Sequence, residues 1–295
     1  MNMKMQGVYT AIVTPFKKDE SVDWDALKKL VEFQIENKVA GIVPCGTTGE
    51  SPTLTEEEQV EVIKRVVQWV NGRCKVIAGT GSNSTAKSVK MSQKAEHLGA
   101  DGVLIVNPYY NKPTQEGLYR HFKAVADAIK IPVVVYNIKG RTAVNVETKT
   151  LMRLVKDCRN VLAVKEASGD LNQMKDVIAQ RPSEFSVLSG DDGITLDLMK
   201  AGGDGVVSVA SNAIPGKMVE LVNAALSKDF SRAEKLNTEL KPFFDGEFME
   251  TNPLPIKAAL AMQGKCEEVY RLPMCEMRPE NRQKWQGILK GMGLV

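Results

Sequence analysis

Short runs of apolar, mostly β-branched residues recur along the chain at 8–13, 41–44, 75–78, 103–106, 133–136, 161–165, 185–188 and 206–209. Each has the length and composition of a strand buried on both faces. Between them lie segments with helical spacing. Val60, Ile63, Val67 and Val70 form one apolar stripe, and Thr55-Glu-Glu-Glu58 ahead of it reads as a capping box. Further helices are predicted over 85–98, 115–128, 147–156, 171–180, 192–201 and 215–226. Two helix-to-strand junctions use the same phrase, Gly99-Ala-Asp-Gly102 and Gly202-Gly-Asp-Gly205. There one glycine ends the helix in the left-handed conformation and a second opens the strand.

Strands joined by crossover helices pair in parallel. Eight such units predict an α/β protein, a closed (β/α)8 TIM barrel over residues 1–226. A C-terminal helical extension is predicted over 227–295, with loops at Asn252-Pro-Leu-Pro255 and Leu272-Pro-Met274. An open doubly wound sheet is the alternative. It would usually carry Gly-x-Gly-x-x-Gly after its first strand, where this chain has Thr14-Pro-Phe16.

With 39 basic and 36 acidic residues spread along the chain, and aromatics at 6%, no basic stripe points to nucleic acid. Neither a signal-peptide core nor a run of membrane-spanning length is present, so a soluble cytoplasmic protein with no membrane partner is expected. Five cysteines without a Cys-x-x-Cys pair fit free thiols in a reducing compartment. Two histidines, His97 and His121, fall in helical segments, and no metal site is predicted.

Chemistry in such a barrel sits at the C-terminal ends of the strands. Strand 2 ends in Cys45-Gly-Thr47-Thr48-Gly49-Glu50, strand 4 in Asn107-Pro-Tyr109-Tyr110, strand 5 in Tyr136-Asn137 with Arg141 close behind, strand 6 in Lys165, and strand 7 in Ser189-Gly190-Asp191-Asp192. Alternation puts Lys165 on the face of Ala163 and Val161, with Glu166 on the other. An amine that attacks a carbonyl at neutral pH must first lose its proton, which costs a free lysine about 4 kcal/mol and which burial favours. Strands 5 and 6 are neighbours, so Tyr136 and Lys165 can face inward together: an amine to attack a ketone, and a phenol to carry protons. Thr47, Thr48 and the amides near Gly49 can hold a carboxylate, and Arg141 a second one. Each has a structural alternative. Thr-Thr-Gly-Glu can be a turn into the next helix, Tyr109-Tyr110 a surface pair, Arg141 a partner of Glu147, and Asp191-Asp192 a helix cap.

In combination these residues carry a resemblance. Gly46-Thr-Thr-Gly-Glu50, Ala78-Gly-Thr-Gly81, Pro108-Tyr-Tyr-Asn-Lys-Pro-Thr-Gln-Glu-Gly117, Tyr136-Asn137, Gly140-Arg-Thr142, Val164-Lys-Glu-Ala-Ser-Gly169 and Leu188-Ser-Gly-Asp-Asp192 occur in the order found in the pyruvate-dependent class I aldolase (N-acetylneuraminate lyase) family. The resemblance implies that pyruvate forms a Schiff base with Lys165, with no cofactor. Tyr136 would be the general acid/base, linked through Thr47 to Tyr110 of an adjacent subunit. Thr48, Gly190 and Val207 would line the pyruvate pocket, and Arg141 would receive the carboxylate of L-aspartate 4-semialdehyde. It also implies a homotetramer built as a dimer of dimers. A sister aldolase acting on a sugar-derived 2-keto acid, of the N-acetylneuraminate or 2-keto-3-deoxy-gluconate type, would share Lys165 and Tyr136. A degenerate barrel used for binding alone would predict a broken set. Lys139 departs from the family, which often has proline there.

Some members are inhibited by lysine at an interface pocket. Ser51, Asn83 and Tyr109 match that type. Glu56 and Gln59 stand where it has histidines, and Lys87 where its glutamate grips the inhibitor. Little or no inhibition by lysine is therefore expected.

Overall fold

The computed structural model describes residues 4–295. Eight strands, β1 (Gly7–Ala11), β2 (Gly41–Val43), β3 (Lys75–Gly79), β4 (Gly102–Val106), β5 (Val133–Asn137), β6 (Val161–Glu166), β7 (Ser186–Ser189) and β8 (Gly205–Ser208), pair in parallel and in sequence order. β8 returns to β1 and closes the barrel. The helices of the barrel are α1 (Trp24–Glu36), α2 (Glu56–Val70), α3 (Thr85–His97), α4 (Gln115–Ala128), the short α5 (Lys139–Thr142), α6 (Thr148–Asp157), α7 (Leu171–Gln180), α8 (Thr195–Lys200) and α9 (Pro215–Leu226). Beyond them come α10 (Phe230–Gly246), α11 (Leu254–Met262) and α12 (Pro279–Gly291). Among the described residues no helix is long and apolar enough to cross a membrane.

The period of two along each strand divides the core into two layers. Tyr9, Ala11, Val43, Ile77, Leu104, Val134, Tyr136, Ala163, Leu188 and Val207 fill the barrel interior. Val8, Ile42, Val76, Val103, Val135, Val164, Val187 and Val206 point outward and pack under the helices. β6 departs from the expected alternation. Val133 pairs with Val161 but Val134 with Ala163, so one residue of β6 bulges out of register. Val161 consequently belongs to the outer layer, not to the face of Lys165. Ala163 and Lys165 keep the inward face. The predicted helix over 192–201 is a 3-10 turn at Asp192–Ile194 followed by α8.

Local signals explain the boundaries. Thr55 and Glu58 complete the capping box at the start of α2. Ser84, Thr114, Asp170 and Asp229 each accept an N-terminal amide of the helix that follows. In the repeated glycine phrases the central aspartates work at the N-terminal end of the barrel. Asp101 accepts from Val76 N–H, and Asp204 from Val187 N–H. This places both phrases opposite the strand ends that carry Lys165 and Tyr136.

Candidate active site

β5 and β6 set Tyr136 directly beside Lys165 in register. Both side chains point into the barrel, and Lys165 is only 5% exposed. Its Nζ lies 4.1 Å from the centre of the Tyr136 ring, over the face. Among the described residues no nearby carboxylate forms an ion pair with this amine, although the charge of Lys165 acts on Asp191. Glu166 turns to the outer face, as alternation predicts, where it accepts from Asn137 Nδ2, Ser168 N–H and Gln173 Nε2. Burial still pushes its carboxyl upward. Asp191 caps the 3-10 turn by accepting from Gly193 N–H, and burial raises its carboxyl also. Gly190 leaves room for Ala167 and for the stem of Lys165. A Cβ there would lie 3.0 Å from Lys165 Cε, 3.1 Å from its Cγ and 2.7 Å from Ala167 Cβ. Val207 closes the same interior space from β8.

The loop after β2 carries the two threonines. Thr48 is buried and accepts from Asn252 Nδ2 at 3.0 Å. Asn252 O in turn accepts from Arg141 Nη2 at 3.2 Å. Thr48, Asn252 and Arg141 are thus one chain of contacts, and Arg141 spends a donor here instead of pairing with Glu147. Thr47 and Arg141 lie on the wall of a cavity of about 320 Å³ that also reaches Ser51, Gln59, Lys87 and Tyr109. Gln59 Nε2 donates to Ser51 O and Leu54 O. Glu56 turns away to Lys90 and Lys94, whose hydrogen bonds bring its carboxyl down to about 2. Lys165, Tyr136, Gly190 and Val207 thus share the barrel interior, Thr48 and Arg141 are joined through Asn252, Thr47 and Arg141 share the cavity wall, and Tyr110 touches neither group. It is 90% exposed and held at φ +72° on the outer surface. His121 is structural: its Nδ1 meets Thr85 Oγ1, and burial pulls the imidazole down to about 4.

Four residues have parts that the sequence reading does not give them. Asn252 lies in the C-terminal extension, at a position the sequence marks only as a proline-rich loop. Glu50, in the αL conformation at the end of Gly46-Thr-Thr-Gly-Glu50, meets Lys257 Nζ at 2.5 Å with both side chains buried. Lys257 also donates to Val269 O and lies over the Phe16 ring, and burial lowers its ammonium. A lone lysine inside the apolar run Leu254-Pro-Ile-Lys-Ala-Ala-Leu is the signal that could have found it. Asn137, behind Tyr136, accepts from Asn107 Nδ2 and Val146 N–H and ties the ends of β4, β5 and β6 together.

Residues 4–292 match the model of the dihydrodipicolinate synthetase family. The chain belongs to this family. It is 52% identical to 4-hydroxy-tetrahydrodipicolinate synthase of Koribacter versatilis, over 99% of this chain and 98% of that one. The crystal structure of dihydrodipicolinate synthase from Aquifex aeolicus superposes with a TM-score of 0.97 at 47% identity, covering 98% of this chain and 99% of that chain. The enzyme from Cyanidioschyzon merolae, solved with lysine bound, matches at 38% identity and a TM-score of 0.96, over 98% of this chain and 99% of that chain.

Breaking the buried pair tests its hold on the threonine loop. Lys257→Met leaves Glu50 unpaired and is expected to cost about 3–5 kcal/mol in denaturant unfolding. Adding Glu50→Gln to Lys257→Met should recover a large part of that loss. A single variant as stable as the parent would remove the pair from this role.

Proposed function

We propose that the chain joins pyruvate to L-aspartate 4-semialdehyde, the 4-hydroxy-tetrahydrodipicolinate synthase reaction, through a Schiff base on Lys165 and without a cofactor. The observation that carries this reading is the Lys165 amine lying on the Tyr136 ring inside the barrel. Attack of the amine on the pyruvate ketone gives a carbinolamine, and loss of water gives the iminium. Loss of a methyl proton then forms the enamine. Tyr136 is the proton carrier at these steps, with Thr47 passing protons onward. The enamine carbon attacks the aldehyde, and the amino group of the product closes the ring, releasing Lys165. Thr48 and the loop amides hold the pyruvate carboxylate, Gly190 and Val207 shape its pocket, and Arg141 takes the carboxylate of the aldehyde.

The exposure of Tyr110 supports a shared site. A phenol that stands clear of its own barrel can complete the relay of a second copy, so the working unit is a dimer, and two dimers form the tetramer. The sister reaction on a sugar-derived keto acid is disfavoured by the full set of Thr47, Thr48, Tyr110 and Arg141. A coupled assay with the reductase that consumes the product, run beside the sugar acids, decides between them. Turnover of a sugar acid alone would overturn the assignment.

Borohydride added with pyruvate is expected to leave an irreversible adduct on Lys165, read by peptide mass. Lys165→Arg should give neither adduct nor turnover, because arginine stays protonated. An unmodified wild-type chain would sink the covalent route.

Tyr110→Phe should lower turnover while the chain still assembles, and dilution to monomers should abolish turnover with it. Full activity in a species that sediments as a monomer would count against the shared relay.

Lysine should inhibit weakly or not at all. Lys87 stands where a carboxylate would grip the inhibitor, and like charges there oppose binding by several kcal/mol before screening. Glu56 does not compensate, since Lys90 and Lys94 hold it on α3. Titrating lysine into the coupled assay checks this, and half-inhibition at submillimolar lysine would refute it.

A further inference from the structure

A pair of carboxyl groups behind the barrel end takes no part in the chemistry above. Glu247 caps the C-terminus of α10 and is fully enclosed. Asp192, in the 3-10 turn after β7, is equally buried. Asp192 Oδ2 accepts from Val209 N–H at 2.8 Å and Ala210 N–H at 3.0 Å, the first amides beyond β8. Among the described residues its Oδ1 and both oxygens of Glu247 find no donor. The turn that carries Asp192 packs on α10, and the charges acting on Glu247 are those of Asp192 and, more weakly, Asp191, both acids. α8, α9 and α12, which pack on α10, bury side chains such as Met199, Leu221 and Trp285.

Two enclosed carboxylates in contact, with no cation between them, cannot both be ionised. Asp192 already accepts two amides through Oδ2, which marks it as the acceptor of the pair. The proton therefore resides on Glu247, whose carboxyl is pushed well above its usual range by burial and by the charge of Asp192. A protonated carboxyl is a donor, and the acceptor in contact with it is Asp192.

We propose that Glu247 is a positioning residue: its carboxylic acid donates to Asp192, and Asp192 ties the exit of β8 to the loop after β7, fixing Gly190 and Val207 beside Lys165. This rests on the reading of Lys165 as the pyruvate-binding amine. Gly190 stands two residues before Asp192, and Val207 two before Val209. A slack tie therefore distorts the pocket wall and leaves the amine in place.

Glu247→Gln keeps a donor without a titrating proton, while Glu247→Leu keeps volume and removes the donor. The sign follows from linkage. The folded state holds a proton that the unfolded chain releases above about pH 4.5, so the wild type loses stability as pH rises from there toward the folded value. Thermal unfolding from about pH 5 to about pH 9 should show Glu247→Gln gaining steadily on the wild type. At the alkaline end KM for pyruvate should rise in the wild type and hold steady in Glu247→Gln. Glu247→Leu should raise that KM about tenfold with a smaller change in kcat. A Tm difference that stays flat with pH overturns the shared proton. A KM that follows the wild type in both variants overturns the positioning role, and the Gln comparison stands alone if the Leu chain does not fold. Borohydride trapping of pyruvate on the wild type, run alongside, reports separately on Lys165.

Discussion

Closure of the barrel is the constraint on which the site depends. A Cβ on Gly205 would lie 2.1 Å from Gly7 O, so β8 and β1 meet only because residue 205 has no side chain. Next to that seam the Tyr9 ring occupies the space a Cβ on Gly41 would need, at 2.5 Å. Once the ring of strands is shut, registers are no longer free. Tyr136 must face Lys165, and Lys165 must face Leu188. A slip of one residue in β6 would exchange Lys165 for Glu166 inside the barrel. The bulge after Val161 takes up the extra residue early in the strand, away from the end that carries Lys165.

Charge is distributed to the same effect. Three carboxylates around the barrel end are held by other partners: Glu166 by Asn137 and Ser168, Glu50 by Lys257, Asp192 by the amides after β8. The amine is left with the face of an aromatic ring. A ring face favours positive charge by roughly 0.5–2 kcal/mol, more where water is excluded. In the proposed reaction the iminium is the species that carries that charge while covalently fixed. The contact thus serves an intermediate without locking the amine in an ion pair.

Much of this was legible in the sequence because it is local. The bounds of α4, α7 and α9 coincide with 115–128, 171–180 and 215–226, where a capping residue or an N-terminal proline marks the start. Strand order and the inward pair Tyr136 and Lys165 follow from counting in twos. Counting fails where a residue is inserted, so alternation puts Val161 on the wrong face. It also cannot see partners far apart in sequence. Glu50 and Lys257 are 207 residues apart, and Thr48 and Asn252 are 204 apart. Nothing local to Glu247 distinguishes a buried acid from a solvated one at the end of a helix. Its environment is made by the turn after β7, close in space and distant in sequence.

The extension therefore has a part in the site that a boundary at 226/227 does not express. Asn252 reaches Thr48, and Lys257 reaches Glu50. Arg271 grips Glu58 with two nitrogens and also donates to Thr53 O and Glu20 O. The threonine loop is thus held from β2 on one side and from the C-terminal segment on the other. A buried ion pair is a poor source of stability, since desolvation offsets most of its attraction and an apolar pair of similar volume can do as well. What an ion pair adds is direction. Lys257 satisfies Glu50 only when α11 sits at one height over the loop, and that height sets where Asn252 meets Thr48. The cost of the buried charges is thereby converted into a fixed geometry for the group proposed to hold the pyruvate carboxylate, at a loop whose own backbone is short of regular structure.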